Sequence, residues 1–134
     1  MKIKNKTASI VVTVVILACV VGLNFIASVS CELTETSLVV KGVFASVSID
    51  YSNIEQVELV DEIDYGTRVG VSTLKINSGK YTNSAYGTYQ LYAYKNTGKN
   101  IVVHYDDSNI VVFNKSTAQT TIDFYTELLT KINN

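Results

Sequence analysis

Twenty consecutive residues, Ala8 to Ala27, carry no charge, and only Ser9, Thr13, Gly22 and Asn24 among them fall outside the hydrophobic set. At about 1.5 Å of rise per residue, a helix of that length measures roughly 30 Å, the thickness of a bilayer's hydrocarbon core. Lys2, Lys4 and Lys6 precede the run. Lysine-rich flanks stay on the cytoplasmic side, so the expected topology is a single pass through the cytoplasmic membrane at residues 8–27, with the rest of the chain outside. Residues 1–31 are then an N-terminal signal anchor, a transmembrane helix. Two other fates stay open. Small residues collect near Ala27–Ser30, where cleavage would give a secreted protein. Ile16-Leu17-Ala18-Cys19 resembles a lipobox, which would make a lipoprotein through Cys19.

Beyond residue 31 the period changes to two. Val43, Ala45, Val47 and Ile49 fall on one face of an extended segment, and Phe44, Ser46, Ser48 and Asp50 on the other. Tyr51-Ser52-Asn53 reads as a turn. Strands are expected at Leu38–Lys41, Val43–Asp50, Ile54–Val60 (Val57 and Leu59 inward, Glu58 outward), Val69–Ile76, Tyr86–Tyr94, Ile101–Tyr105 and Ile110–Phe113. Gly79 reads as a break, and Asn96-Thr97-Gly98-Lys99 and Asp106-Asp107-Ser108-Asn109 as hairpin turns. The last segment is helical: Ile122, Tyr125, Leu128, Leu129 and Ile132 recur at spacings of three and four, and Ser116 with Gln119 fits a capping box. The fold class is mainly β, a seven-stranded sandwich or barrel capped by one C-terminal α-helix and preceded by the membrane helix. Residues 32–134 form one domain, undivided by a linker, repeat or charge block.

Charge narrows the partners. Residues 32–134 hold all 12 acidic residues of the chain against eight basic ones, a formal net charge of −4. Nucleic acid, whose binding rests on clustered positive charge, is excluded on that ground. Cys19 and Cys31 lie about 18 Å apart if both sit on one helix, too far to bridge, so Cys31 is expected as a free thiol at the membrane surface, or as a small, partly buried apolar residue.

No residues assemble into a catalytic set, a cofactor cradle or a metal site. His104, the one histidine, sits mid-strand without a second His or a placed Cys, and reads as a surface or edge residue. Asp61, Glu62 and Asp64 lack the spacing of a calcium loop. Arg68 is the domain's only arginine; it can clamp an anion, or pair with Asp61, Glu62 or Asp64 to hold its own loop. Tyrosine is abundant, nine in all, and Tyr86, Tyr92 and Tyr94 fall on one face of their strand with Tyr89 opposite. Tyrosine is enriched where proteins meet partners. Arg68, Tyr86, Tyr92 and Tyr94 are therefore the candidate binding residues.

The series Tyr51-Ser52-Asn53-Ile54-Glu55-Gln56-Val57, Gly66-Thr67-Arg68-Val69-Gly70, Gly79-Lys80-Tyr81, Tyr86-Gly87-Thr88-Tyr89 and Ile110-Val111-Val112-Phe113-Asn114 resembles a bacterial pleckstrin-homology (PH)-like family over about residues 38–131. The resemblance implies the strands-then-helix architecture and a membrane association. Lipid-binding members hold inositol phosphates with several basic residues on and after the first strand; here Lys41 stands alone, followed by Gly42, Val43 and Phe44. The expected function is a non-enzymatic, membrane-tethered binding or interaction domain of the cell envelope with a protein or peptide partner. The alternatives are a lipid-headgroup module or an envelope enzyme whose site no motif reveals.

Overall fold

The computed structural model describes the backbone of residues 2–134 and the side chains of 6–22 and 27–134. Lys2, Lys4, Leu23, Asn24, Phe25 and Ile26, on which the membrane reading draws, have side chains outside that description. The first element, α1, is one helix over Lys2–Ile26. Every described side chain from Lys6 to Val21 is exposed, so this stretch of α1 is no part of the core. Among the described residues, no helix is long and apolar enough to cross a membrane.

The folded unit begins just before residue 32. β1 (Ser30–Leu33), β2 (Ser37–Lys41) and β3 (Ser46–Asp50) form an antiparallel sheet in sequence order. Val29 and Cys31 are buried in the core at its start, so the thiol lies inside the domain rather than at a membrane surface, and neither cysteine is bridged. Residues 43–45, expected within a strand, form a loop before β3. Its base is closed by the Gly42 N–H donating to Ala45 O at 2.7 Å.

The second sheet has six strands: β4 (Ile54–Val60), β5 (Thr67–Ser72), β6 (Ile76–Asn83), β7 (Gly87–Tyr94), β8 (Asn100–Tyr105) and β9 (Asn109–Phe113), in the spatial order β4-β8-β9-β7-β6-β5. The structure thus has nine strands where the periodicity suggests seven. Val69–Ile76 is not one strand. Thr73 Oγ1 accepts from the Lys75 and Ile76 N–H groups at 3.2 Å and folds a tight turn between β5 and β6. Gly79 does not end a strand; it lies within β6 at φ +149°, where a Cβ would stand 2.6 Å from Val69 O.

Asn96–Lys99 is not a hairpin turn either. β8 and β9 pair as a hairpin through the three residues Asp106, Asp107 and Ser108, the first two at positive φ. That hairpin inserts β9 parallel to β7, with Tyr92 beside Phe113. The β7–β8 connection must therefore step over the end of β9. Asn114, 2 % exposed, sits beneath the step. Its Oδ1 accepts from Tyr94 N–H at 2.7 Å, and its Nδ2 faces Tyr94 O at 3.0 Å and Thr97 Oγ1 at 2.8 Å.

α2 (Ala118–Ile132) is capped by Thr117, one residue later than expected. Thr120 N–H donates to Thr117 Oγ1 at 3.1 Å and Thr117 N–H to Thr120 Oγ1 at 3.2 Å. The buried line on α2 is Thr121, Phe124 and Leu128, with Tyr125 and Ile132 half-buried beside it. It is rotated from the expected stripe because Phe124 docks edge-on against Phe113, centroids 5.8 Å apart. Thr121 tolerates burial because its hydroxyl donates to Thr117 O at 2.7 Å.

The main core lies between the two sheets and α2. It holds Leu38, Val40 and Ile49 from the small sheet, Ile76, Tyr92, Ile101, Val103 and Phe113 from the large one, and Leu128. A second cluster forms on the far face of the large sheet from Tyr81, Tyr89, Leu91, Ala93, Val102 and Val112. A strap covers that face. β4 and β5 sit at opposite edges, yet residues 61–66 join them. Five flat strand spacings would be about 24 Å, close to the full reach of so short a segment. The strap nevertheless dips to pack Ile63 and Tyr65 on the cluster, so the sheet must curl toward a barrel. Tyr89 Oη donates to Tyr65 O at 2.8 Å and Asn83 Nδ2 to Asp64 O at 2.8 Å, pinning the strap down. Gly66 makes its corner at φ +82°, where a Cβ would meet Thr82 O at 1.9 Å.

Candidate binding edge

β5 pairs with β6 alone, so one side of its backbone is open. The register identifies the groups on that side. Thr73 N–H donates to Ile76 O at 2.9 Å, which makes 73–76 a hydrogen-bonded pair. Antiparallel pairs alternate, so Val71, Val69 and Thr67 also bond to β6 through Ser78, Lys80 and Thr82. Arg68, Gly70 and Ser72 are left with their N–H and C=O groups directed at the open edge.

The side chains at this edge are as unusual as its backbone. Outside α1, the exposed large hydrophobic residues are Phe44 at 81 %, Val69 at 79 % and Leu74 at 84 %. Val69 is on β5 and Leu74 is in the turn that follows it. Phe44 belongs to the loop that Val43 N–H ties to Ser78 Oγ on β6 at 3.1 Å. Proteins usually blunt a free edge with charge, proline or a bulge. Here Arg68 is the only charged residue on the strand. The opposite edge, β4, carries Glu55 and Glu58, bears an irregular register between Ile54 and Gln56, and is packed by α2.

The predicted site residues divide between the edge and the interior. Arg68 is exposed on β5, opposite Tyr81. It joins no ion pair among the described residues, so it does not hold the acidic loop as the sequence suggests: Asp61 pairs with Lys99, and Asp64 Oδ1 accepts from Gly66 N–H at 3.0 Å. The three tyrosines do not share a face. Tyr92, 2 % exposed, belongs to the main core with Tyr94, whose hydroxyl donates to Val29 O at 3.0 Å. Tyr86 lies with the second cluster, 5.7 Å from the Tyr89 ring and 6.4 Å from that of His104. The correction has a simple cause: Gly87, at φ +68°, breaks the alternation between Tyr86 and the strand. Tyrosine abundance here builds two cores, and Tyr92 has no ring surface to offer a partner.

His104 is on an inner strand, between β4 and β9, rather than at an edge. Its Nε2 is 3.7 Å from Glu58 Oε1. Among the described residues no three His, Cys, Asp or Glu side chains gather to hold a metal ion. A pocket of about 390 Å³ opens beside the strap, lined by Glu62, Ile63, Tyr65, Asn77, Lys95 and Asn96. Among the described residues, the buried side-chain atoms that lack a geometrically sound hydrogen bond are Tyr81 Oη, with the Arg68 guanidinium beside it, and His104 Nε2, and neither residue lines the pocket.

Burial pushes the Cys31 thiol up to about 11, with Lys115 pulling weakly the other way. Burial also raises Tyr65, Tyr81, Tyr86, Tyr89, Tyr92 and Tyr105. A folded pKa above the unfolded one means that stability is intact below the unfolded value and lost as pH rises through the folded one. The domain is accordingly expected to hold its melting temperature up to about pH 9 and lose it steeply above pH 10. Cys31 alone accounts for about 2–3 kcal/mol of that loss by pH 11. In a Cys19→Ser background, the remaining thiol should be inert to a disulfide reagent at pH 8 until denaturant is added. A flat melting profile to pH 11, or prompt thiol reaction in the native state, would contradict this burial.

A sequence model of the bacterial PH domain matches residues 29–119, from just before β1 into the first turn of α2. No curated protein and no solved structure matches the chain. The matched span coincides with the two sheets and the start of the capping helix, a mainly β body consistent with a PH-like fold. It also begins at Val29, where the buried core begins. Membership supports an interaction or binding module. By sequence and by architecture together, this chain belongs to the bacterial PH domain family.

Proposed function

We propose that this protein is a non-enzymatic, membrane-tethered binding domain of the bacterial cell envelope, and that it receives a protein or peptide as an added strand along β5. The observation that carries the reading is the coincidence of an open backbone edge with Phe44, Val69 and Leu74, the exposed large hydrophobic residues of the domain. Strand addition draws affinity from main-chain hydrogen bonds and specificity from alternate side chains. β5 offers both, through three outward N–H groups, three outward C=O groups and the exposed apolar side chains beside them.

The tether rests on the sequence. Residues 8–27 are uncharged, Lys2, Lys4 and Lys6 precede them, and acidic residues come only afterwards. That pattern supports a single pass with the domain outside the cytoplasmic membrane. Protease added to intact spheroplasts tests it, since digestion of the domain without lysis is expected and protection would refute the orientation.

Ser72→Pro tests the edge. It removes one outward N–H while leaving the bonded pairs of β6 in place, a substitution that edge strands accept. Full-length protein carrying it should keep its circular dichroism and melting temperature, yet lose roughly tenfold or more in affinity for a strand-forming ligand, the equivalent of about 1.4 kcal/mol. Unchanged affinity in a folded variant would remove β5 from the proposal.

A further inference from the structure

We infer that the strand received by β5 is acidic, an extended segment with carboxylates on alternate residues. The inference rests on the edge-binding reading above and names the chemistry of its partner. Between Tyr65 and Tyr105 the chain holds no aspartate or glutamate, but holds Arg68, Lys75, Lys80, Lys95 and Lys99. The rest of residues 32–134 holds all 12 acidic residues and only Lys41, Lys115 and Lys131. A domain with an acidic balance therefore concentrates its positive charge in one part of the chain, and the fold places Arg68, Lys75 and Lys80 on β5, β6 and the turn between them, with Lys95 against that turn.

Four of those five cations have no acidic partner. The ion pairs among the described residues are Lys41–Glu32, Lys99–Asp61 and His104–Glu58. Lys99 is thereby neutralised at the far end of the strap. Lys95 donates to Thr73 O and braces the β5–β6 turn. Arg68, Lys75 and Lys80 are exposed. Arg68 stands on the outer face of β5, Lys80 lies across from Val69 on the other face, and Lys75 sits at the turn. An added strand would lie about 4.8 Å from β5 and roughly 10 Å from β6, within one Debye length at 0.1 M salt. Carboxylates on alternate residues share one face of a strand, so they would lie together beside the Lys80 side chain, and the intervening residues would lie on the Arg68 face. The acids nearest β5 in the chain, Asp61, Glu62 and Asp64, belong to the strap and not to the open edge; Asp61 pairs with Lys99 and Asp64 accepts from Gly66 N–H.

An acidic strand suits this arrangement better than an anionic lipid headgroup. A headgroup is held by cations that converge on one point, whereas these are spread along and across a hydrogen-bonding edge with apolar side chains between them. Lys41, the one basic residue near the start of the domain, is already within 3.8 Å of Glu32.

Three fluorescent octapeptides separate the possibilities, with Val-Glu, Val-Thr or Val-Lys repeated four times, each titrated against the full-length protein in phosphatidylcholine nanodiscs. The glutamate peptide should bind about tenfold more tightly than the threonine peptide at 50 mM salt, and the advantage should shrink severalfold at 500 mM. The double variant Lys75→Glu/Lys80→Glu should reverse the preference toward the lysine peptide, and Ser72→Pro should weaken all three. Equal binding of the glutamate and threonine peptides, both lost in Ser72→Pro, would overturn the acidic partner and leave the edge reading intact. Failure of every peptide to bind would overturn both. Binding to phosphatidylglycerol vesicles that disappears in Lys75→Glu/Lys80→Glu, without peptide binding, would assign the cations to a lipid surface instead.

Discussion

Leu128→Asp will unfold the domain. Leu128 is fully buried, and it meets the main core where α2 closes over β4 and β8. Truncating such a leucine costs about 2–5 kcal/mol, and an unpaired carboxylate in the same place adds a desolvation penalty. Domains of this size are stable by only about 5–15 kcal/mol. The expected readout is loss of near-ultraviolet dichroism and of the cooperative melt at neutral pH. Leu128→Met, which keeps the volume, should cost less than about 1.5 kcal/mol. A Leu128→Asp protein that melts at the parental temperature would show that α2 does not dock.

Asn114→Ala is the second large effect, and it is not visible from hydrophobicity. The Asn114 side chain is the support under the β7–β8 step. Truncation leaves Tyr94 N–H without its acceptor and withdraws a donor that faces Tyr94 O, Thr97 Oγ1 and Asn100 Oδ1. Each buried group left unpaired costs about 1–3 kcal/mol, so a loss of about 3–5 kcal/mol is expected by denaturant titration. Asn114→Asp separates the two halves of the role. It keeps the acceptor for Tyr94 N–H, loses the donor, and should fall between the parent and Asn114→Ala. If Asn114→Ala costs under 1 kcal/mol, the step is held by something else.

Local signals succeeded where one element could be judged alone. The α2 helix was legible because apolar residues recur at three and four without a proline or glycine to interrupt them. Val57 and Leu59 pointed inward as their alternation requires, and both lie against the main core. The turn after β8 was legible from Asp106-Asp107-Ser108-Asn109. The errors arose where a neighbour decided. Val69–Ile76 looks like one apolar strand until Thr73 bends it back on itself. Asn96–Lys99 has hairpin composition, yet β9 occupies the place between its strands. Val29 and Cys31 look like the tail of an apolar run, but the small sheet needs them as its first buried residues.

The binding residues followed the same division. Arg68 stood out in the sequence as the domain's only arginine, and it is exposed on β5, while Tyr92 and Tyr94 lie against the main core because alternation does not say which face of a two-cored sheet is covered. The cations beside Arg68 did carry a signal, the long stretch without an acidic residue. Its meaning depended on β5 ending up at an edge.

Composition and periodicity were enough to establish a charge-free N-terminal segment, a strand-rich body and a C-terminal helix, since each follows from the preferences of residues close in the chain. Strand order, the parallel β7–β9 pair, the strap across the far face and the open side of β5 depend on contacts between residues far apart in sequence. Those contacts form only when the whole chain closes around its two cores, and a window of ten residues contains no record of them.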